Sequence, residues 1–423
     1  MIFDGERGVH ALTLSPASKK VVASFVTYIE RKLRVAIITE RARVPFSRFD
    51  LVAEFRLAKK LIDAGIVHSY GPLETLPDEP PLCSWTCKFG KREDDWSGGS
   101  SVLDDKAALT STLAEALERY IWRYEQDFFE SPVTATQEEM QKKGPFLAPE
   151  RFAGFSDATR AQNIAFTLNK TTKYLWAQGT SLITKEKMYA PAQIFSAQVS
   201  KKQGEPLIRE VTTNGLATWP TQAGAQLAGA LEILERDAFM IMWYNQLTFA
   251  KVELTSLRGK SESLDTILER CVRYRLKVHA IPMMTDAPTH AMCVVVEDPT
   301  GHAPRFIVGL KAHRSMVKAV ESALLEALRI RRTYRNYSKH DGAWDKNTSV
   351  EKIGHVDRVY YWGESENAQH LEFLIAGEEQ PYQFDAAWEY DSIEQHLEKI
   401  VSWCKEKNFE CVSVPLTRSK ANP

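Results

Sequence analysis

A short acidic pattern recurs on three predicted helices, and it constrains the fold more than any other feature of the sequence. In each copy a small residue is followed four positions later by Glu, and three positions after that by Glu or Arg. Positions three and four apart lie on one face of a helix, so two of the copies present a pair of carboxylates side by side. The copies are Ser111-xxx-Glu115-xx-Glu118-Arg119, Ala228-xxx-Glu232-xx-Glu235-Arg236 and Ser322-xxx-Glu326-xx-Arg329.

Paired carboxylates need compensation wherever they are buried. Like charges on one helix face cost a few tenths of a kcal/mol in water and far more when they are buried without a partner. Arg119 and Arg236 directly follow the two pairs and supply one form of compensation. Bound metal ions would supply another. A single copy is more typical of a solvated helix face with salt bridges, but the recurrence favours a shared functional site.

Length and charge exclude several classes of protein. With 423 residues the chain can hold two or three domains or one large composite domain. Its 54 Lys and Arg residues nearly balance its 55 Asp and Glu residues, which argues against a nucleic-acid partner. The N-terminal residues lack the basic and apolar regions of a signal peptide, and no apolar run approaches the roughly 18 residues of a transmembrane helix. We therefore expect a cytoplasmic protein with no membrane contact.

The six cysteines fit that compartment, because their spacings are not those of a zinc site. Cys83 and Cys87 are separated by three residues, and Cys404 and Cys411 by six. We expect free and mostly buried thiols.

Proline and acidic residues between residues 71 and 81 indicate a linker. Before it, helices are predicted at 15–32 and 50–63 and strands at 34–39 and 66–68. We therefore predict a small N-terminal docking lobe with its linker over residues 1–82, followed by a main body over residues 83–423. Limited proteolysis is expected to cut between residues 71 and 82.

The body alternates strands and helices in a way that predicts an α+β protein made of three similar lobes. Helices are predicted at 105–129, 220–244, 264–275, 315–337 and 391–407. Strands are predicted at 173–177, 181–184, 188–195, 208–216, 277–283, 291–297, 305–310, 359–362 and 410–416.

From residue 98 to its end the sequence resembles the YcaO family. That family has a Gly-rich turn before the first acidic helix, a Trp-containing strand, a Pro-Ala strand, an Asn-Gly-Leu-Ala segment before the second helix, and a Gly-Leu strand end before the third. The matching segments are Gly98-Gly99, residues 108–120, Trp176-Ala177-Gln178-Gly179, Ala190-Pro191-Ala192, Asn214-Gly215-Leu216-Ala217, residues 232–237, Gly309-Leu310 and Glu326.

The resemblance implies a YcaO-type fold in which three α/β lobes surround a nucleotide site, with the small N-terminal α/β lobe beside it. ATP and Mg²⁺ are the implied cofactors. Clustered carboxylates would repel a triphosphate unless metal ions bridged them, so more than one Mg²⁺ is expected. The implied cofactor-binding residues are Ser111, Glu115, Glu118, Arg119, Glu232, Glu235, Arg236, Glu326 and Arg329. The implied metal ligands are Glu115, Glu118, Glu232, Glu235 and Glu326.

The sequence departs from the family pattern at several points. Ser100 and Ser101 stand where the Gly-rich turn commonly carries a Lys, Arg329 replaces a Gln, and Trp219 lies where small polar residues are usual. Azoline-forming members continue past the strand predicted at 410–416 with a further strand and a proline-rich tail. We therefore expect that strand to be an unpaired edge, with its neighbour missing from this sequence or supplied by a partner chain.

The resemblance implies an ATP-dependent cyclodehydratase that converts backbone amides of a ribosomally made peptide into thiazolines or oxazolines. The nucleophile would belong to the substrate, so no catalytic side chain of this chain is named. The implied partners are a precursor peptide and a protein related to ubiquitin-activating (ThiF-like) enzymes that binds its leader; a homodimer is left open. The alternatives are a thioamide-forming enzyme, a nucleotide-binding accessory protein without activity, and a scaffold or DNA-binding protein, which the neutral charge disfavours.

Overall fold

A computed structural model describes residues 9–13, 52–124, 129, 131–199, 204–337, 353, 357–381 and 392–416. The helix predicted at 15–32, the strand predicted at 34–39 and the chain after residue 416 lie outside these residues. The helices are α1 (Val52–Asp63), α2 (Asp105–Tyr124), α3 (Gln137–Gln141), α4 (Asp157–Gln162), α5 (Gln222–Tyr244), α6 (Glu262–Arg273), α7 (Met316–Tyr337), α8 (Asp357–Gly363), α9 (Glu372–Ile375) and α10 (Ile393–Glu406). The strands are β1 (Val9–Thr13), β2 (Val67–Pro72), β3 (Cys83–Phe89), β4 (Trp96–Ser101), β5 (Val133–Ala135), β6 (Tyr174–Ser181), β7 (Lys187–Pro191), β8 (Lys251–Val252), β9 (Lys277–Pro282), β10 (His290–Glu297), β11 (Phe306–His313), β12 (Glu379–Gln380) and β13 (Cys411–Pro415).

Each helix of the acidic pattern is bonded to its own sheet. Helix α2 lies on the sheet β2-β3-β4, where Thr112 donates to the carbonyl of Trp85 over 3.1 Å. Helix α5 contacts the five-stranded sheet, where the Gln226 amide donates to the Ser413 hydroxyl over 3.1 Å. Helix α7 lies on the antiparallel sheet β11-β10-β9, whose central strand β10 is buried along its whole length. The described residues thus contain three helix-on-sheet units, as the sequence predicts.

Two of the three helices, α2 and α5, begin at side-chain caps. Asp104 accepts from the backbone of Lys106 and so caps α2. Thr221 caps α5 by accepting from the backbone of Gly224 over 3.1 Å. A β-carbon at Gly224 would lie 1.9 Å from the Trp219 ring, so glycine is required there for the indole to lie against the helix.

The last strand is not the edge that the sequence analysis expected. Strand β13 pairs with β1 in parallel, with Val9 opposite Cys411, and with β6 in antiparallel fashion. The expectation of an unpaired edge at β13 is therefore wrong, because the first described residues of the chain supply its neighbour. Strand β7 pairs only with β6 among the described strands, and its Tyr189 also forms a single bridge with Phe146.

Three predicted strands take other forms. Residues 359–362 belong to helix α8, where Tyr360 lies against Tyr334 at a ring distance of 5.6 Å, so packing overrides the preference of this aromatic segment for strands. Residues 181–184 form a turn closed by the Ser181 hydroxyl. Residues 208–216 do not form a strand. Backbone groups of this segment bond to side chains, and the backbone N–H of Ile208 donates to the side-chain oxygen of Gln193 over 2.9 Å.

A buried ion network attaches the predicted linker to the body. Arg331 on α7 donates to Glu79 over 3.0 Å and to Asp298 over 2.8 Å, and all three side chains are buried. Strand β2 also pairs with β3 across residue 82. The division of the chain at residue 82 stays a prediction about independent folding, because contacts cross it.

The state of the cysteines and the apolar character of the helices are both predicted from the sequence. All six cysteines are free, and all but Cys83 are buried, as the sequence predicts. In the described part of the chain, no helix combines the length and apolar character that crossing a bilayer requires.

Candidate functional site

A cavity of about 460 Å³ lies where α2, α5 and α7 meet. All nine residues that the sequence analysis assigned to a nucleotide site line it, so the three copies of the acidic pattern converge on one place. They are Ser111, Glu115, Glu118, Arg119, Glu232, Glu235, Arg236, Glu326 and Arg329.

The first Glu of each copy is held by a backbone N–H that precedes it by almost the same distance in the sequence. Glu232 accepts from Gly215, 17 residues earlier, over 2.9 Å. Glu326 accepts from Leu310, 16 residues earlier, over 2.9 Å. Glu115 accepts from Gly98, 17 residues earlier, over a longer 3.4 Å. In each case the backbone holds the Oε2 atom. The Oε1 atom of Glu115 lies 3.5 Å from Arg119 and that of Glu232 lies 3.8 Å from Arg236.

The second carboxylate of each pair is also backbone-bonded, and burial favours its protonated form. The backbone of Thr218 donates to Glu118, and that of Ala312 donates to Glu235 over 2.8 Å. Loss of water around Glu118, reinforced by the charges of neighbouring glutamates and opposed by Arg119, raises its pKa to about 8. Burial raises the pKa of Glu235 to about 7, although Arg236 opposes the shift.

Arginines balance part of this negative charge at ordinary ion-pair distances. Arg119 lies 3.5 Å from Glu115 and donates to the Thr213 hydroxyl over 2.8 Å. Arg236 lies 3.3 Å from Glu235, and the nearby glutamates raise the pKa of its guanidinium despite burial.

Arg329 joins the third helix to the first, because it lies 3.7 Å from Glu115 and donates to the carbonyl of Gly98. The replacement of Gln by Arg noted in the sequence therefore provides a cation at this wall of the cavity.

Lys311 is a cavity residue that the sequence analysis missed. Its positive charge opposes the rise in pKa of both Glu232 and Glu235. It stands two residues after Gly309, the position that Ser100 occupies after Gly98. Aligning the turns of the three copies, and not only the helices, would have revealed it as the lysine absent from the first turn.

This arrangement fits Mg²⁺ and a polyphosphate better than a metal ion alone. Carboxylate oxygens are the hard ligands that Mg²⁺ prefers, and it is usually held by one or two carboxylates with phosphate oxygens and water completing the shell. Within the described ranges no group of three or more His, Cys, Asp or Glu side chains is arranged to hold a metal ion. The cavity thus offers carboxylates from three helices, while the remaining ligands would come from nucleotide and water.

Comparisons with known proteins agree with this geometry. Residues 101–422 match the family model described as YcaO cyclodehydratase, ATP- and Mg²⁺-binding. An uncharacterised protein of the archaeon Methanothermobacter thermautotrophicus is 21% identical over 190 residues, which cover 44% of this chain and 49% of that protein.

Solved structures share the fold at low identity. A heterocyclase in complex with substrate and cofactor gives a TM-score of 0.68 at 20% identity, with 84% of this chain and 48% of that chain covered. A YcaO protein from Methanopyrus kandleri bound with AMPPCP and Mg²⁺ gives 0.57 at 17% identity, with 88% and 87% covered. The Escherichia coli microcin synthetase McbBCD complex with pro-MccB17 bound gives 0.51 at 12% identity, with 78% and 80% covered. The chain therefore spans about half the length of the archaeal relative and of the heterocyclase.

Proposed function

The chain belongs to the YcaO family, an ATP- and Mg²⁺-binding cyclodehydratase family, and we propose that it uses ATP to modify backbone amides of a ribosomally made peptide. The observation that carries the proposal is the convergence of five carboxylates from three helices on one cavity, with a backbone N–H holding each of them. Such a site fits a metal-bound triphosphate and has no evident role in stabilising the fold, because the carboxylates repel one another.

The proposed chemistry is azoline formation. A Cys, Ser or Thr side chain of the peptide attacks the carbon of the preceding amide, and the amide oxygen takes the γ-phosphoryl group of ATP. ADP is released, and the oxygen then leaves with the phosphoryl group as inorganic phosphate. The nucleophile and the amide nitrogen each give up a proton to solvent, so that a five-membered ring with a C=N bond remains. Amide oxygen is a poor leaving group by itself, so its phosphorylation is the reason for using ATP.

The chain's own residues bind and orient the reactants. Glu115, Glu118, Glu232, Glu235 and Glu326 would hold Mg²⁺, which would stabilise negative charge on the transferred phosphoryl group. Lys311 and Arg119 would pair with phosphate oxygens, because both are cations on the cavity wall. The nucleophile comes from the peptide.

The proposed partners follow from this chemistry. A precursor peptide is the substrate, and a ThiF-like protein that binds its leader is the proposed partner. The bound substrate of the similar heterocyclase and the McbBCD complex with pro-MccB17 support a peptide substrate and partner proteins.

Two other functions use the same cavity. A thioamide-forming enzyme would activate the amide in the same way but accept external sulfide. An accessory protein would bind Mg²⁺-ATP without turning it over, and the serine in place of lysine at Ser100 favours it. The lysine provided by Lys311 at the equivalent turn weakens that argument.

Phosphate release separates these candidates. We expect Mg²⁺-dependent release of phosphate from ATP when a Cys-containing precursor peptide and its partner are present. Mass spectrometry should show loss of water, 18 Da, from the peptide. Gain of sulfur in place of oxygen when sulfide is supplied would identify a thioamide-forming enzyme. Tight Mg²⁺-ATP binding without phosphate release under any of these conditions would refute an enzymatic role.

A further inference from the structure

A second cavity, of about 630 Å³, shares a wall with the nucleotide cavity. Glu115 and Arg329 form this wall, because both line the two cavities, and Gly98 lies beside them in the second cavity. The other walls are largely apolar and include the half-exposed indole of Trp96. They are formed by Leu73, Trp85, Trp96, Ile330 and Val359.

Arg332 on α7 gives this second cavity a buried charge that has no ion pair among the described residues, although the charge of Glu79 favours it from a longer distance. Its side chain lines the cavity and the residue is only 6% exposed. Both Nε and Nη1 are buried, and neither has a hydrogen-bond partner among the residues that the structure describes. Burial, reinforced by the nearby positive charge of Arg329, lowers the pKa of the guanidinium.

A buried guanidinium without a partner indicates an anionic ligand. Leaving a charged donor desolvated and unpaired is costly, so such groups are normally paired. The neighbouring Arg331 shows the ordinary arrangement, because it donates to Glu79 and Asp298. Nε and Nη1 of Arg332 have no such partner in the described part of the chain, although Arg332 lies next to Arg331 in the sequence.

The apolar walls distinguish between the anions that the reaction brings to this place. The phosphates of ATP need Mg²⁺ and so belong with the carboxylates of the first cavity. The adenine and ribose are neutral and would leave the charge of Arg332 uncompensated. A carboxylate matches the planar fork of a guanidinium, and a peptide also brings the apolar groups that would contact Trp96 and Ile330.

We propose that the second cavity is a specificity site for the substrate peptide, in which Arg332 binds the carboxylate of an Asp or Glu close to the residue being modified. The identification of the ligand as the substrate peptide rests on the proposed function. In that case the shared wall at Glu115 and Arg329 would place the ligand carboxylate beside the reacting amide. Binding of an acidic peptide can nevertheless be measured without turnover.

The test uses pentapeptides with blocked termini and a central Cys. A single Glu is placed in turn at each of the four other positions, and every Glu peptide is compared with the peptide that has Gln at the same position. Isothermal titration calorimetry on the full chain measures their affinities without nucleotide. At least one Glu peptide should bind about tenfold more tightly than its Gln counterpart. Arg332→Gln should remove this ratio, Arg332→Lys should keep part of it, and the exposed control Arg273→Gln should keep all of it.

Nucleotide binding and stability are measured on the same variants. Arg332→Gln should leave Mg²⁺-ATP affinity within about twofold and should not lower the melting temperature, because it removes an unpaired buried charge. Trp96→Ala should weaken Glu and Gln peptides alike.

Three results would overturn the proposal. One is an affinity ratio near one for every Glu and Gln pair in the unaltered chain, a comparison that needs no variant to fold. Another is a ratio that survives Arg332→Gln. The third is a tenfold loss of Mg²⁺-ATP affinity in Arg332→Gln with the peptide ratio intact, which would assign the cavity to the nucleotide. A Glu preference without phosphate release would refute the proposed function and leave this site standing.

Discussion

The backbone N–H of Gly215 donates to Oε2 of Glu232 over 2.9 Å, across 17 residues of sequence. The same relationship joins Leu310 to Glu326 and Gly98 to Glu115. Each bond joins one carboxylate oxygen to the backbone of the segment before the acidic helix, which is strand β4 at Gly98, strand β11 at Leu310 and a turn at Gly215. The repeated unit of this protein is therefore an acidic helix together with the segment before it, and the bond between them fixes the orientation of a carboxylate.

Replacing Glu118 by Gln should abolish turnover without harming the fold. Removing a metal-binding carboxylate is expected to lower nucleotide-dependent phosphate release by at least about 100-fold. The melting temperature should stay constant or rise, because Glu118 lies beside other carboxylates and its burial already disfavours the charged form. Thermal unfolding and phosphate release are measured side by side. Glu269→Gln, on the exposed face of α6, is the matched control, and a large fall in melting temperature for Glu118→Gln alone would contradict this reading.

Binding of Mg²⁺-ATP should release protons near neutral pH. The folded-state pKa of Glu118 is raised to about 8 and that of Glu235 to about 7, so below those values both carry protons that a metal ion must displace. Calorimetry in buffers of different ionisation enthalpy measures the number released. We expect net release at pH 7 that declines above pH 8.

The same shifts fix the sign of the pH dependence of stability. Between the ordinary glutamate pKa and about 8 the folded state binds more protons than the unfolded state, so these two groups make the protein less stable as pH rises. Glu118→Gln should flatten that slope. A stability that increases with pH in the unaltered chain but not in Glu118→Gln would show that the pKa of Glu118 is lowered instead.

The sequence predicts the helices and the members of the site well because both depend on local spacing. Glu115 and Glu118 lie three apart, so a helix places them on one face wherever it packs. Convergence of the three copies then follows from their similarity.

Sheet partners depend on contacts that no local pattern encodes. The pairing of Val9 with Cys411 joins the two ends of the described chain, and nothing in either segment specifies the other. Tyr360 lies in a segment that reads as a strand but becomes helical through packing against Tyr334. Lys311 was missed for another reason, since a lone lysine after a strand has no periodic signal.

Lys311 should contribute to nucleotide affinity more than to stability. Lys311→Met removes a cation that would pair with phosphate, and we expect the Kd of Mg²⁺-ATP to rise roughly tenfold, which corresponds to about 1.4 kcal/mol. Lys311→Arg should recover most of the affinity. Lys187→Met, at the exposed first residue of β7, is the control for loss of a positive charge. Unchanged affinity in Lys311→Met would remove Lys311 from the phosphate site.

Gly309 should tolerate no side chain, because β11 lies directly on α7 at this point. A β-carbon there would stand 2.0 Å from the carbonyl oxygen of Ala323 and 2.6 Å from the nitrogen of Ala327. Backbone atoms cannot move aside cheaply, so Gly309→Ala should lower the free energy of unfolding by about 1–3 kcal/mol. Gly71→Ala is the control, since nothing lies within 4 Å of its added β-carbon. Denaturant unfolding of both variants checks the difference, and equal stabilities would mean that strand and helix are farther apart than described.

Arg331 should determine how readily the linker before β3 is cut. Arg331→Leu leaves Asp298 without its arginine and Glu79 with Arg335 alone, and breaking a buried ion pair in this way costs about 3–5 kcal/mol. Lys59→Met, which breaks an exposed pair with Asp63 at 3.0 Å, should cost less than about 1 kcal/mol. Digestion with a protease that cleaves after glutamate, followed by mass spectrometry of the fragments, should place the first cut between residues 71 and 82 in the unaltered chain. The exposed Glu74 is the expected site there, because the bond after Glu79 leads into Pro80 and resists such a protease. Arg331→Leu should speed the cut after Glu74. First cuts that fall elsewhere in both proteins would remove the support for a division of the chain at residue 82. A cut after Glu74 that is equally fast in both would show that the ion network does not protect the linker.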